Sequence, residues 1–266
     1  MSKKEYETLY IERVGQIGRL VVNRPETQNA MFPQMMMDIR DAAIELDKDN
    51  SVRVILVEGA GPNFSAGGNL DFLRKLNTFG PFNIKNTIYI HYVGAVRALV
   101  MASKPSIAVV RGNAYGGGAD LALACDFRIF SDTAAFCESW INLNLSSALG
   151  GLKLLPQIIG LAKAAELYMF GMPVKAEESL RLGICNWVVP DAKLEEEAMK
   201  KAEILAKKPP LAMSVIKEGL MRGLDNDFMS ETQRAMYAQA MLLSSKDYLE
   251  GIDAIQAKRP AVFKGE

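Results

Sequence analysis

The chain has 266 residues, 49% of them hydrophobic and 23% charged, which is enough to bury one large core. Its 31 basic and 31 acidic residues cancel to a formal charge of zero, so it lacks the basic surface expected of a nucleic-acid-binding protein. The N-terminus is polar and no apolar stretch is long enough for a membrane span. We therefore expect a cytoplasmic protein without membrane contact.

The predicted strands and helices alternate along most of the chain. Short apolar runs rich in valine and isoleucine predict strands at residues 8–14, 17–23, 52–58, 106–111 and 127–130. Helical spacing of apolar residues over 35–46 and 84–99 predicts helices between them, which is the order of an α/β domain. From about residue 192 the pattern is helical, so we predict a core at 1–195 and a helical region at 196–266.

Two glycine-rich turns follow predicted strands and precede helical patterns, at residues 59–70 and 112–120. Glycine allows close backbone approach to a ligand, and a helix that begins at such a turn presents unpaired NH groups. Either turn alone is typical of an ordinary tight turn. Together they predict a site for an anion or a developing oxyanion.

Other catalytic motifs fit these turns less well. The dinucleotide-binding pattern fails because Phe64 stands at the third glycine position, and neither turn carries the lysine of a phosphate-binding loop. Ser65 with His91, the only histidine, keeps a serine hydrolase open as a third hypothesis. Cys125, Cys137 and Cys185 are an odd number without CxxC spacing, so we expect free thiols and no metal site.

Several stretches, in this order and spacing, resemble the crotonase superfamily of enoyl-CoA hydratases and isomerases over nearly the whole chain. They are residues 23–26 with 29–30, 64–70, 104–112, 116–126, 155–156, 182–184 with 188–190, 208–210 with 216–218, and 258–263. The resemblance implies a spiral of ββα units followed by a C-terminal helical trimerisation region, in a homotrimer or homohexamer. It also implies an acyl-CoA thioester substrate, with coenzyme A entering as part of that substrate and no bound cofactor.

By motif position, the resemblance assigns the two NH donors for the thioester oxygen to Gly68 and Gly117. It implies further substrate contacts from the 64–70 stretch and its neighbours and from the C-terminal segment, either of the same chain or of a neighbouring subunit. These residues are Ala30, Ala66, Gly67, Asn69, Leu70, Lys258 and Phe263.

Asp120 is the principal acid/base candidate. It lies three residues after Gly117, so within a first helical turn both residues share one face. Alternatively, Asp120 complements the positive N-terminal end of the helix. Family hydratases usually have glutamate at this position.

Trp140 stands where the family has its second glutamate, and Ala148 occupies another acidic position of some relatives. Tryptophan cannot transfer a proton, so we expect Trp140 to line the acyl pocket. Glu138 shares a face with it if residues 136–140 are extended, but we predict that Glu138 faces solvent.

These residues favour an enolate-forming acyl-CoA enzyme that isomerises a double bond, which requires one carboxylate, or hydrates it in an atypical way. Hydrolysis or decarboxylation of an acyl-CoA remains an alternative. A member that binds acyl-CoA without catalysis is a second hypothesis.

Overall fold

The computed structural model describes residues 2–266. Its ten strands are β1 Ser2–Glu5, β2 Leu9–Val14, β3 Ile17–Val22, β4 Val54–Gly59, β5 Ser106–Val110, β6 Asn113–Tyr115, β7 Phe127–Ser131, β8 Ala135–Cys137, β9 Val174–Lys175 and β10 Trp187–Val189. The five predicted strands are confirmed as β2, β3, β4, β5 and β7. The short strands β1, β6, β8, β9 and β10 were not predicted, because so few residues carry no readable alternation.

A seven-stranded sheet has the order β1-β2-β3-β4-β5-β7-β10, and a second sheet has the order β6-β8-β9. The pairs β1-β2 and β2-β3 are antiparallel hairpins, whereas every pair from β3 to β10 in the larger sheet is parallel. Parallel neighbours require crossover connections, and the helices supply them.

The helices are α1 Pro33–Lys48, α2 Leu70–Leu76, α3 Pro81–Thr87, α4 Gly94–Val100, α5 Gly117–Leu123, α6 Gly151–Ile159, α7 Leu161–Phe170, α8 Ala176–Leu182, α9 Leu194–Ala206, α10 Pro210–Gly223, α11 Phe228–Leu243 and α12 Lys246–Gln256. A π-helical segment, Ile88–Val93, joins α3 to α4. Short 3-10 helices lie at Pro25–Thr27, Ser139–Leu143 and Asp191–Lys193. No helix within residues 2–266 is long and apolar enough to cross a bilayer.

Apolar residues are buried on both faces of the larger sheet. One cluster includes Ile39 and Leu46 of α1, Leu99 of α4 and Leu121 of α5. The opposite face, including Leu56 and Ile107, is covered by α9. Burial on both faces explains why the central strands are nearly continuous apolar runs rather than alternating ones. The sheet is rich in parallel pairs and is followed by C-terminal helices, which confirms the predicted α/β fold class.

The C-terminal helices differ in how they pack on the core: α9 packs against the sheet, whereas α10 and α11 bury at most one residue each. Leu194, Ala198 and Ala202 of α9 pack on the sheet, so α9 belongs to the core by its packing although it falls within the predicted 196–266 region. By contrast, α11 has no buried residue and α10 has one, Lys217. The predicted division at residue 195 and the oligomerisation role of the helical region remain predictions.

Candidate active site

The candidate site lies where two neighbouring parallel strands end. The carboxyl ends of β4 and β5 lie at the same edge of the sheet, and each leads into one of the glycine-rich turns. Ligands of open α/β sheets bind outside this edge because the loops that leave adjacent strands converge there. The topology therefore brings together two turns that are about fifty residues apart in sequence.

Backbone hydrogen bonds join the two turns. Ser65 NH donates to Asn113 O at 2.9 Å, and Tyr115 NH donates to Ser65 O at 3.0 Å. At Gly67, where φ is +90°, a β-carbon would lie 2.6 Å from Tyr115 O. Only glycine combines this conformation with so close an approach.

The backbone NH groups of Gly68 and Gly117 are left free by this arrangement. Met31 pairs with Gly68 in a parallel bridge through Met31 NH to Gly67 O at 2.7 Å and Asn69 NH to Met31 O at 2.8 Å. The NH of Gly68 therefore faces away from Met31. Gly117 is the first residue of α5, where NH groups have no intrahelical acceptor. Neither NH donates to any acceptor among residues 2–266.

Both glycines border one cavity of about 420 Å³. Most of the other side chains around it are apolar, and they come from α2, the α3–α4 helix and the segment after β8. The lining residues are Thr27, Gln28, Ala30, Met31, Ala66, Gly67, Gly68, Leu70, Leu73, Leu76, Ile84, Ile88, Tyr92, Gly116, Gly117, Ser139, Trp140, Leu143, Leu145, Ser146, Ala148 and Leu149. No acidic or basic side chain of the described chain lines it.

Asp120 lies one layer behind this cavity. Its side chain is fully buried, and Oδ2 accepts a 2.7 Å hydrogen bond from Ser147, whose neighbours Ser146 and Ala148 both line the cavity. Burial raises the pKa of Asp120 to about 7, and the Ser147 hydrogen bond partly offsets that increase. A carboxyl group with this pKa can both accept and donate a proton near neutral pH.

Glu138 is also fully buried, so the prediction that it faces solvent is wrong. β8 ends at Cys137 and a 3-10 helix begins at Ser139, so residues 136–140 are not one extended strand. Glu138 Oε2 accepts a 3.0 Å hydrogen bond from Trp140 Nε1. Burial, followed by the negative charge of Asp120, raises the pKa of Glu138 well above its usual value.

Gly151 and Tyr168 complete this buried group. A β-carbon on Gly151 would lie 1.8 Å from Asp120 Oδ1 and 2.4 Å from Tyr168 Oη, so both oxygens lie close to one point. Within residues 2–266, neither oxygen makes a hydrogen bond of good geometry. Burial and the neighbouring Glu138 raise the pKa of Tyr168, so this phenol stays protonated.

The family model described as enoyl-CoA hydratase/isomerase matches residues 12–266. The chain belongs to the enoyl-CoA hydratase/isomerase family. The chain is 33% identical to a probable enoyl-CoA hydratase of Rhizobium meliloti, over 97% of this chain and 98% of that protein. It is 32% identical to a 1,2-epoxyphenylacetyl-CoA isomerase of Escherichia coli, over 93% and 94% of the two chains.

A solved structure of a putative enoyl-CoA hydratase from Streptomyces coelicolor superposes with a TM-score of 0.94 at 29% identity, covering 100% of this chain and 97% of that one. These similarities confirm the resemblance to the crotonase superfamily. The protein is thus a hydratase/isomerase-like enzyme.

Seven of the residues predicted for the family site line the cavity. They are Ala30, Ala66, Gly67, Gly68, Leu70, Gly117 and Trp140. The Trp140 ring lies against the start of α5, with Cε2 3.8 Å from the β-carbon position of Gly116 and Cη2 3.9 Å from that of Gly117. The roles of these residues in binding or catalysis stay predictions.

Four predicted residues do not line the cavity. Asp120 lies behind it, and the side chain of Asn69 caps α2 by accepting the Phe72 NH at 2.8 Å. Lys258 is exposed, and Phe263 packs 3.7 Å from the β-carbon position of Gly251 in a different surface groove. The last two remain predictions that require a neighbouring subunit.

The serine-hydrolase alternative finds little support in the geometry. The Ser65 hydroxyl donates to Asn29 O at 2.8 Å and accepts from Gly67 NH at 3.2 Å. His91 lines a separate surface pocket with residues such as Phe79 and Ile90. Ser65 therefore supports the turn, and neither Ser65 nor His91 lines the cavity.

Sequence reasoning missed Met31, Ser147, Gly151 and Tyr168. Met31 approaches the start of α5, with Sδ 2.9 Å from the β-carbon position of Gly117. The predicted helix over 84–99 also contributes to the cavity, which is lined by its residues Ile84, Ile88 and Tyr92. No spacing in the sequence points to Tyr168 or Gly151, which reach Asp120 only because α6 packs on α5 and α7 packs on α6.

Proposed function

We propose that the protein isomerises a double bond in an acyl-CoA thioester by stabilising the enolate of the thioester. The observation that carries this proposal is the pair of unused NH groups, on Gly68 and Gly117, beside one apolar cavity. The names of its relatives, enoyl-CoA hydratase and 1,2-epoxyphenylacetyl-CoA isomerase, support an acyl-CoA substrate.

The two NH groups would hold the thioester oxygen as negative charge develops on it. Fixed donors in a site that excludes water stabilise such charge without reorganisation, and removing one donor costs about 3 kcal/mol of barrier. The apolar lining of the cavity supplies the low dielectric that this mechanism needs.

Asp120 is our proposed acid/base. Its carboxylate takes a proton from the carbon at one end of the allylic system, the enolate forms, and the same carboxyl returns a proton at the other end. One shuttling group suffices for this reaction. Concerted hydration uses an acid and a base together, and the position that resembles the family's second glutamate is Trp140, which cannot transfer a proton.

The proton path crosses the layer between Asp120 and the cavity. Asp120 lies one helical turn from Gly117 and binds Ser147 in the segment that lines the opposite side. The path needs a rotation of the Asp120 side chain or transfer through the Ser147 hydroxyl. Both routes keep bulk water away from the enolate.

We further propose that the coenzyme A part contacts the backbone near Ala30 and Ala66, with Lys258 and Phe263 supplied by a neighbouring subunit of a trimer or hexamer. The support is the apolar surface of the C-terminal helices. Phe228, Met241 and Ile255 are each at least 76% exposed in the single chain. Contiguous exposed apolar residues are typical of protein interfaces.

The test incubates the protein with linear and ring-bearing enoyl-CoA thioesters in deuterated water and follows exchange and isomerisation by mass spectrometry. We expect deuterium at the α- or γ-carbon with the wild type, and a loss of about 10²- to 10⁴-fold in rate for Asp120→Asn. Glu178→Gln, which alters an exposed acid paired with Arg181, is the matched control and should retain wild-type rates.

Binding of the thioesters without exchange in the wild type would contradict the enolate. Exchange that persists in Asp120→Asn would keep the enolate but remove Asp120 as the base. Formation of a 3-hydroxyacyl-CoA as the main product would show hydration instead of isomerisation.

A further inference from the structure

Glu138 makes an unusual pairing with the residue that follows it by two positions. Its carboxyl is fully buried, and the one hydrogen bond to Oε2 comes from the indole of Trp140, at 3.0 Å. The other oxygen, Oε1, has no partner within residues 2–266. Burying a carboxyl group is costly, so this contact calls for a functional reason.

The position of Trp140 gives a functional reason for burying Glu138. Its ring covers the backbone of Gly116 and Gly117 and lines the cavity next to the free NH of Gly117. Tyr92, on the α3–α4 helix, is the second aromatic side chain of the lining. The orientation of the indole therefore determines the shape of the space beside the proposed reacting carbons.

The chemical state of Glu138 suits it to this role. Its surroundings contain the carboxyl of Asp120, the phenol of Tyr168 and the thiol of Cys137, and no cation is among the groups that perturb it. Burial and the negative charge of Asp120 raise the pKa of Glu138, which favours the neutral carboxyl, an acceptor that places no charge behind the ring. A neutral acceptor can also be replaced by an amide of the same shape.

We infer that Glu138 is a positioning residue that holds the Trp140 indole, and that this pair makes the cavity selective for flat, ring-bearing acyl groups. Such acyl groups pack favourably against aromatic side chains. The inference rests on the proposed function because it concerns the acyl group of the same thioester. It adds a residue and a substrate class that the two free NH groups do not determine.

The test compares Glu138→Met with Glu138→Gln, since methionine removes the acceptor and glutamine keeps it. For each variant, kcat and KM are measured with a cyclohexenyl- or phenyl-bearing enoyl-CoA and with a short linear one. We expect Glu138→Met to raise KM for the ring-bearing thioester about tenfold relative to the linear one, the upper range for one lost hydrogen bond. On the linear thioester, kcat should stay within about twofold, and Glu138→Gln should restore the preference.

A spectroscopic readout follows Trp140 directly. The chain has two tryptophans, so in a Trp187→Phe background the long-wavelength tryptophan bands of the near-UV circular dichroism come from Trp140. We expect this signal to be lost in Glu138→Met and kept in Glu138→Gln. A mutation that only weakened the fold would lower the rates with both thioesters. It would not remove the preference for the ring-bearing thioester in Glu138→Met and restore it in Glu138→Gln.

Trp140→Phe keeps the test decisive if Glu138→Met does not fold, because it removes the N–H and leaves a ring. It should reproduce the loss of preference, and Glu138→Met should add nothing further in that background. An unchanged preference in Glu138→Met and Trp140→Phe, or a Glu138→Gln variant as impaired as Glu138→Met, would overturn the inference. Proton exchange on the linear thioester in all variants would show that the proposed function still holds.

Discussion

Ser147 donates its hydroxyl hydrogen to Asp120 Oδ2 across 2.7 Å, and this bond joins the buried acid of α5 to the segment that lines the cavity. The other carboxyl oxygen of Asp120 makes no hydrogen bond among the described residues. Burial thus raises the pKa of Asp120 while Ser147 limits the rise.

The rate should depend on the ionisation of Asp120. Because the pKa of Asp120 is about 7 and the carboxylate is the proposed base, kcat/KM should rise as pH increases through about 7 and then level off. Initial rates with an active enoyl-CoA over roughly pH 5 to 9 would check this. A flat profile across neutral pH would assign the proton transfer to another group.

The free energy of unfolding should decrease as pH rises, whereas kcat/KM should increase. The folded-state pKa of Asp120 lies above its ordinary value of 3.8, so the folded protein binds this proton more tightly than the unfolded chain. The corresponding stability is complete below the ordinary value and is lost as pH rises through about 7. Urea midpoints should fall over this window in the wild type and fall less in Asp120→Asn.

Ser147→Ala should raise the pKa of Asp120 further, because it removes the hydrogen bond that favours the carboxylate. We expect the rising limb of kcat/KM to move to higher pH, with a loss of about 1 kcal/mol in the free energy of unfolding. Ser51→Ala alters an exposed serine that binds Asp49 and should leave the pH profile in place. A profile that moves to lower pH in Ser147→Ala would contradict this role of Ser147.

Gly151→Ala should displace Asp120, because the added carbon would lie 1.8 Å from Asp120 Oδ1. We expect a loss of roughly 1–3 kcal/mol in the free energy of unfolding, typical of overpacking, and a slower reaction. Gly80→Ala is the matched control, since no atom lies within 4 Å of its β-carbon position. Equal activities and midpoints for both variants would show that the site tolerates a β-carbon.

Lys217 attaches α10 to the core. Its ammonium donates to Asp126 Oδ2 at 2.8 Å, to Lys104 O at 3.0 Å and to Leu99 O at 3.2 Å. Lys217→Met should cost about 3 kcal/mol because it leaves one buried and two half-buried acceptors without their donor.

The control for Lys217→Met is Lys200→Met, which breaks the exposed pair with Glu196 and should cost under about 1 kcal/mol. Thermal or urea unfolding measures both variants. Similar losses in the two would mean that Lys217 contributes no more than a surface charge.

Local patterns in the sequence determined much of the fold. The buried strands β3, β4 and β5 are runs of valine, isoleucine and leucine, and the helix α1 shows its apolar face at helical spacing. The apolar runs and the helical spacing both depend on residues a few positions apart, so they can be recognised without the tertiary structure. The two glycine-rich turns could be predicted for the same reason, because the strand, the turn and the start of the helix follow one another directly in the sequence.

The tertiary structure alone decided which residues share the cavity and which acids are buried. Glu138 is a polar residue beside a three-residue strand, so the local pattern predicted exposure. Its burial results from the long-range packing of Tyr168 and Asp120 around it, and the energy of a carboxyl group depends on such neighbours as well as on its own chain segment. Spacing along a chain encodes periodic structure, whereas solvent access and charge environment exist only once distant segments meet.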